Sequence, residues 1–157
     1  MSPAPGPGLI PRNDTDPLGE TRMYQQMIFV NLCVSDLGTS KKFFTELGYS
    51  INEQFSDDST ASVVISDTIV VMVHTKEKYA QFTKKRIADA TQTSEVLIAL
   101  SAESREKVDE LVDKAVAAGG SVSGETQDHG FMYGRAFDDP DGHTFEVVWM
   151  DPAAVQG

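Results

Sequence analysis

Cysteine is nearly absent from this chain: Cys33 is the single one, so no disulfide can form within it. That usage predicts a reducing, cytoplasmic setting. Basic residues are scarce too, with 13 Lys and Arg against 24 Asp and Glu and a formal net charge of −11 at pH 7. A surface of that sign repels phosphate backbones and anionic lipid, so neither nucleic acid nor a membrane is an expected partner. No apolar run approaches the roughly 18 residues that a membrane-spanning helix needs. The first residues, MSPAPGPGLIPRNDTDPLGETR, lack a basic start followed by an apolar stretch. Their Pro, Gly and Asp content predicts a flexible tail over 1–26, either a leader or an upstream extension, with a second short tail at 153–157.

What is present suits one folded domain over 27–152. The chain has 157 residues, 40% of them hydrophobic, enough for a real core. IFVNLCV alternates, placing Val30, Leu32 and Val34 on one face and Phe29, Asn31 and Cys33 on the other, as in a strand with one face in the core. SDLGTSKKFFTELGY reads as a helix that Ser35 or Asp36 can cap, with Phe43, Phe44 and Leu47 inward and Gly48 at its C-terminal turn. SINEQF, TASVVIS and TIVVMVH read as strands separated by turn residues. A linker over 76–94 opens with a helical turn carrying Tyr79 and Phe82 and includes the only basic cluster, TKKR at 83–86, read as a solvated loop.

The same order then recurs. EVLIALS is a strand, and SREKVDELVDKAVAAGG is a helix with Ser104 as N-cap and an apolar stripe of Val108, Leu111, Val112, Ala115 and Val116. SVSGETQ, FMYGRAF and HTFEVVWM complete the second unit. The chain therefore repeats strand-helix-strand-strand-strand at an offset of about 67 residues, in modules over 27–75 and 95–152. One such module buries too little to stand alone. Two predict an α+β fold in which tandem βαβββ modules form a curved mixed sheet, with helices outside and a cup inside.

This order, with VSDLGTSKKFFTELGY and DDPDGHTFEVVW, resembles the vicinal oxygen chelate superfamily. Its members include glyoxalase I, bleomycin-resistance proteins, fosfomycin-resistance transferases and extradiol dioxygenases. The signature residues are met at Val34, Asp36, Ser40, Phe43, Phe44, Leu47 and Gly48, and again from Asp139 to Glu146. Within the superfamily the chain looks most like bacterial proteins described as predicted lactoylglutathione lyases. The resemblance implies a divalent metal held in the cup by His, Glu or Gln from the first, fourth, fifth and eighth strands, acting as a Lewis acid. Here those positions correspond to Phe29, Met72, Leu97 and Glu146, and a two-residue shift in the fourth strand offers His74 instead. Phe and Leu cannot coordinate an ion, and catalytic sites of this kind need about three protein ligands. No cofactor is therefore expected, and a reduced set of Glu146, His74 and Asn31 is the alternative.

DDPDGH does not restore a metal site. His143 and Glu146, three apart in a strand, point to opposite faces. With Gly142 at the sixth place of a calcium loop, the first and last places fall on Phe137 and Val148, which offer no side-chain oxygen. Asp139-Pro140-Asp141-Gly142 reads as a turn, with His143 capping the hairpin or meeting solvent.

Strand parity places Thr144, Glu146, Val148 and Met150 on one face and Phe145, Val147 and Trp149 beneath the helices. Glu146 then needs a partner or an elevated pKa, with Arg135, Tyr133, His74 and Asn31 as candidates. Tyr133 and Arg135 belong to the cup or, by parity with Phe137, to the helix side, where Arg135 forms a salt bridge between strands. HGFMYG at 129–134 reads as a mobile lid, and Cys33 as an unactivated thiol.

The expected cup is lined by Phe29, Asn31, Met72, His74, Leu97, Met132, Tyr133, Arg135 and Glu146. It binds a small organic molecule, aromatic or amphipathic, without metal chemistry. One alternative is a metal-dependent lyase or dioxygenase using Glu146 with His74 or a residue of a partner chain. Another is metal-free acid–base catalysis by Glu146 with Tyr133 or His129. A homodimer is expected from the resemblance and from open sheet edges.

Overall fold

The computed structural model describes residues 24–154; the expected N-terminal tail lies mostly, and the expected C-terminal tail partly, outside them. The fold is α+β with two mixed sheets, and the chain divides into two compact units.

The first unit holds β1 (Ile28–Cys33), β2 (Ser50–Ile51), β3 (Thr60–Val64), β4 (Ile69–His74) and a short helix α2 (Lys76–Tyr79). Its sheet runs β1-β4-β3-β2, with β1 parallel to β4 and the other pairs antiparallel. One face carries Leu32, Ala61, Val63, Val71 and Val73, all buried. Each fully buried valine contributes about 1.5–3 kcal/mol of transfer free energy. The expected strand SINEQF ends after two residues. Asn52 turns the chain into a 3-10 turn at Glu53–Phe55, its side chain accepting a hydrogen bond from the Gln54 amide at 3.1 Å.

The second unit holds β5 (Ile98–Ser101), α3 (Arg105–Ala117), β6 (Ser121–Val122), β7 (Gln127–Asp128), β8 (Met132–Asp138) and β9 (Thr144–Met150). The order is β5-β9-β8-β6, with β5 parallel to β9 and β7 paired to β8. Sheet order and direction thus repeat those of the first unit. SVSGETQ is two short strands rather than one, broken where Gly124 adopts a φ of 70°. Ser104 caps α3 by accepting from the Lys107 amide at 3.1 Å. The buried stripe of α3 is narrower than expected: Val108, Val112 and Ala115 are buried, whereas Val116 is 42% exposed.

Helix α1 (Leu37–Glu46) groups with the second sheet, so the sequence division at 75 is not the spatial one. Phe43 meets Phe137 at 6.0 Å between ring centroids, Phe44 meets Phe145 at 5.8 Å, and Phe137 stacks on Phe145 at 5.3 Å. All four rings are fully buried. Aromatic pairs of this geometry contribute about 0.5–1.5 kcal/mol each beyond their buried area, which ties α1 to β8 and β9.

The turn between β8 and β9 is organised by one buried carboxylate. Asp139 accepts from the Asp141 and His143 amides at 3.0 and 2.8 Å and from His143 Nδ1 at 2.9 Å. His143 therefore caps the hairpin, the first of the two roles open to it. Gly142 has a φ of 92°, and a β-carbon there would stand 2.8 Å from the Ala90 carbonyl oxygen. Replacing Gly142 by Ala should cost about 1–3 kcal/mol of unfolding free energy. Gly124→Ala, at a φ of 70° on the edge of the left-handed region and with open space around it, should cost less. Urea denaturation midpoints of the two variants check the difference.

Candidate functional site

In the first unit, strand register collects side chains from three strands on one face. Asn31 lies beside Met72 and Cys33 beside His74, while Ser62 and Thr60 pair with the same two β4 residues from the other side. His74 is buried and both ring nitrogens are engaged: Nδ1 lies 2.7 Å from Thr60 Oγ1, and Nε2 lies 2.7 Å from Asn31 Oδ1. An amide oxygen can only accept, so Nε2 carries the proton and Nδ1 accepts from the Thr60 hydroxyl. Burial, helped by the Lys78 charge and opposed by Asp57, holds the imidazole below its ordinary pKa. His74 is a neutral ring with a defined tautomer. Phe82 packs edge-on against it at 5.1 Å, and Lys78 stands 5.6 Å over the Phe82 ring. Local sequence builds that cover, because Thr75 caps α2 and sends Tyr79 and Phe82 back toward the sheet.

In the second unit, Glu146 shares a face with Ala99 of β5 and with Met132, Gly134 and Ala136 of β8. It is half-buried, and its carboxylate has no hydrogen-bond or ion-pair partner among the described residues. Water reaches it, which removes the need for a partner that full burial would impose. Leu97 lies just ahead of β5 and is 60% exposed.

Tyr133 and Arg135 occupy the opposite, helix-side face, which corrects their place in the expected cup. The Tyr133 hydroxyl donates to Asp109 at 2.7 Å, and Arg135 bonds Asp109 at 3.0 Å and Asp113 at 3.2 Å. The Arg135 bridge runs from strand to helix rather than between strands. Asp109 and Asp113, one helical turn apart beside Val108 and Val112, were the missed partners; their i, i+4 spacing next to the apolar stripe was the available signal. HGFMYG is not a free lid either. Arg105 grips Asp128 through two bonds of 2.9 Å, bonds the Gly130 carbonyl at 2.9 Å and lies over the Tyr133 and Trp149 rings.

The Glyoxalase/Bleomycin resistance protein/Dioxygenase superfamily profile matches residues 26–147. The chain belongs to this superfamily. Among solved structures, a hypothetical protein from S. aureus is 32% identical, with a TM-score of 0.67 over 82% of this chain and 95% of that one. A glyoxalase-related enzyme from Fulvimarina pelagi is 20% identical, with a TM-score of 0.68 over 80% and 88%. A fosfomycin resistance protein from Listeria monocytogenes is 20% identical, with a TM-score of 0.59 over 81% and 94%. The last two share the fold. No curated protein matches the chain.

The superfamily's metal finds a poor donor set here. Of the corresponding positions, Phe29 and Leu97 have no donor atom and Met72 offers a thioether, which favours soft ions over the divalent ions of this chemistry. His74, the shifted alternative, has both nitrogens committed to Thr60 and Asn31. Among the described residues no three His, Cys, Asp or Glu side chains are grouped closely enough to hold an ion. The residues do not fit the metal. Nor does the hydroxyl–imidazole–amide chain serve as a nucleophile with its base. Thr60 is buried and Asn31 is the exposed end, the reverse of what attack on a substrate requires. The alternative pairing of Glu146 with Tyr133 fails because the two lie on opposite faces of the sheet.

Buried His74 and part-buried His143 respond to pH with opposite signs. Burial lowers the His143 pKa, but the hydrogen bond and charge of Asp139, with Asp141 and Asp138, outweigh it and leave the ring above its ordinary value. Its contribution to stability is therefore full below the unfolded value near 6.5 and fades as pH rises through the folded one. His74, shifted down, contributes fully above that unfolded value and loses its contribution as pH falls through its folded pKa. Unfolding free energies measured across this window should show His143→Gln losing most against wild type at acid pH. His74→Gln should lose more as pH rises from the acid side.

Proposed function

We propose that the protein binds a small, largely apolar organic molecule, with no metal or other cofactor, on a sheet face of its units: that carrying Phe29, Asn31, Met72 and His74 in the first, or that carrying Leu97, Met132 and Glu146 in the second. It acts in the cytoplasm by holding the compound rather than transforming it, in the manner that bleomycin-resistance members of the superfamily suggest. One observation carries this reading. The positions that supply ligands in metal-dependent members hold Phe29, Met72 and Leu97, with Phe29 45% and Leu97 60% exposed. An exposed phenyl and an exposed leucyl group at those places offer contact area to an organic ligand and nothing to a cation. Among the described residues no helix is long and apolar enough to cross a membrane.

Retention of Glu146 favours a second reading, a metal-dependent enzyme akin to predicted lactoylglutathione lyases or to dioxygenases. Calorimetric titration with Ni, Zn, Mn and Fe(II) separates the two. The binding reading expects no saturable uptake near one ion per chain. Stoichiometric uptake that Glu146→Ala abolishes would support the enzyme and overturn the binder.

A homodimer belongs to the same proposal. β1 and β5 each stand at one end of their sheet's strand order, and β1 presents exposed Ile28 and Phe29 without a protecting charge. Light scattering at micromolar concentration should give twice the 17.1 kDa chain mass, and a monomer mass would contradict it.

A further inference from the structure

The geometry points to Asn31 as an oriented anchor whose NH2 selects ligands bearing a neutral acceptor oxygen, a carbonyl next to an aromatic ring being the favoured class. This inference rests on the reading of the first unit's sheet face as a binding surface and names the chemistry that it prefers.

An asparagine side chain ordinarily offers both an acceptor and two donors, so by itself it discriminates little. Here the two ends of the amide are unequally committed. Thr60, buried behind the imidazole, leaves its hydroxyl 2.7 Å from Nδ1, and Nε2–H then occupies Asn31 Oδ1 at 2.7 Å. With Oδ1 held by His74, the Asn31 NH2 keeps, among the described residues, one long contact of 3.4 Å to the Phe29 carbonyl in its own strand. The residue itself is exposed. A hydrogen-bond chain from buried Thr60 through buried His74 thus ends at exposed Asn31, whose amide it orients, with Thr60 and His74 as positioning residues.

The surroundings define the rest of the ligand. Phe29 lies two residues back on the same strand face, 45% exposed, and on the other side Phe82 covers the His74 ring while remaining 59% exposed. Two accessible aromatic surfaces flank one hydrogen-bond donor. A flat ring with a carbonyl attached satisfies both, whereas a pure hydrocarbon of the same shape satisfies only the aromatic part. A ligand offering only donors would have to share Oδ1 with the His74 Nε2–H, whereas an acceptor meets the lightly used NH2.

Acetophenone and α-methylstyrene test this directly, since they differ mainly in an oxygen replaced by a methylene. Binding is followed by proton–nitrogen NMR of the full chain, including the Asn31 side-chain NH2. Acetophenone should bind about three- to tenfold more tightly, the range expected of one net hydrogen bond, and should move the Asn31 NH2 resonances downfield. Asn31→Asp keeps the bond to His74 but removes the donor, and should abolish the preference. Long-range imidazole spectra should show His74 protonated at Nε2 alone. Equal binding of the two compounds overturns the anchor and leaves the metal-free binding reading standing. A preference that survives in Asn31→Asp, or protonation at Nδ1 alone, also overturns it. Binding of neither compound overturns the anchor together with an aromatic ligand. A preference that holds alongside stoichiometric metal uptake keeps the anchor and removes the metal-free reading.

Discussion

Parallel pairing of the first strand of each module with its last is the constraint on which the other features depend. β1 pairs with β4, and β5 with β9, across long stretches of intervening chain. Such a pair cannot be closed by a hairpin and needs a long crossover, which the helix and the strands between supply. The pairing also sets the chemistry. Because parallel partners share a face, Asn31 sits beside Met72 and Cys33 beside His74, and Ala99 sits beside Glu146. A slip of one residue would send each of these side chains to the other face, and the buried Leu32, Val71 and Val73 with them. The apolar face therefore holds the polar one in register.

Much of this order is legible in the sequence because it is written in short periods. The alternation in IFVNLCV and HTFEVVWM places Phe29 and Asn31, and likewise Glu146, on their faces without further information. Ser104 as a cap and Gly48 in the left-handed region follow from local chemistry alone. The repeat is legible for the same reason: each module must spell out its own strand, helix and turns. The D-P-D-G-H turn was read correctly as a turn, but its organising residue was not. Asp139 acts through backbone amides, and such bonds leave no trace in residue spacing.

What escaped the sequence depends on contacts between distant segments. FMYGRAF alternates apolar and polar residues ambiguously, because Tyr133 and Arg135 are long amphipathic side chains that suit either face of β8. Only the carboxylates of Asp109 and Asp113 on α3 decide the matter. Helix α1 belongs by chain order with the first module, yet Phe43 and Phe44 find their aromatic partners in β8 and β9. An apolar stripe specifies that a helix must be covered and leaves open by which sheet. Thr60 was missed because a threonine in a β-branched strand has no distinguishing feature until His74 is seen in register with it.

In the metal-free reading proposed above, that pairing bears on how a polar site can serve where the superfamily uses a cation. A metal polarises an oxygen through charge and tolerates several ligand geometries. A hydrogen-bond chain must instead fix which atom donates, and one ambiguous amide or tautomer would defeat it. Here the Thr60 hydroxyl fixes the proton on Nε2, and Nε2–H engages the Asn31 oxygen, which orients the amide and leaves its NH2 lightly used. The two arrangements compete for the same imidazole, since a ring bonded to both Thr60 and Asn31 has no lone pair to give to an ion. The 2.7 Å contacts on both nitrogens place His74 at the centre of this chain.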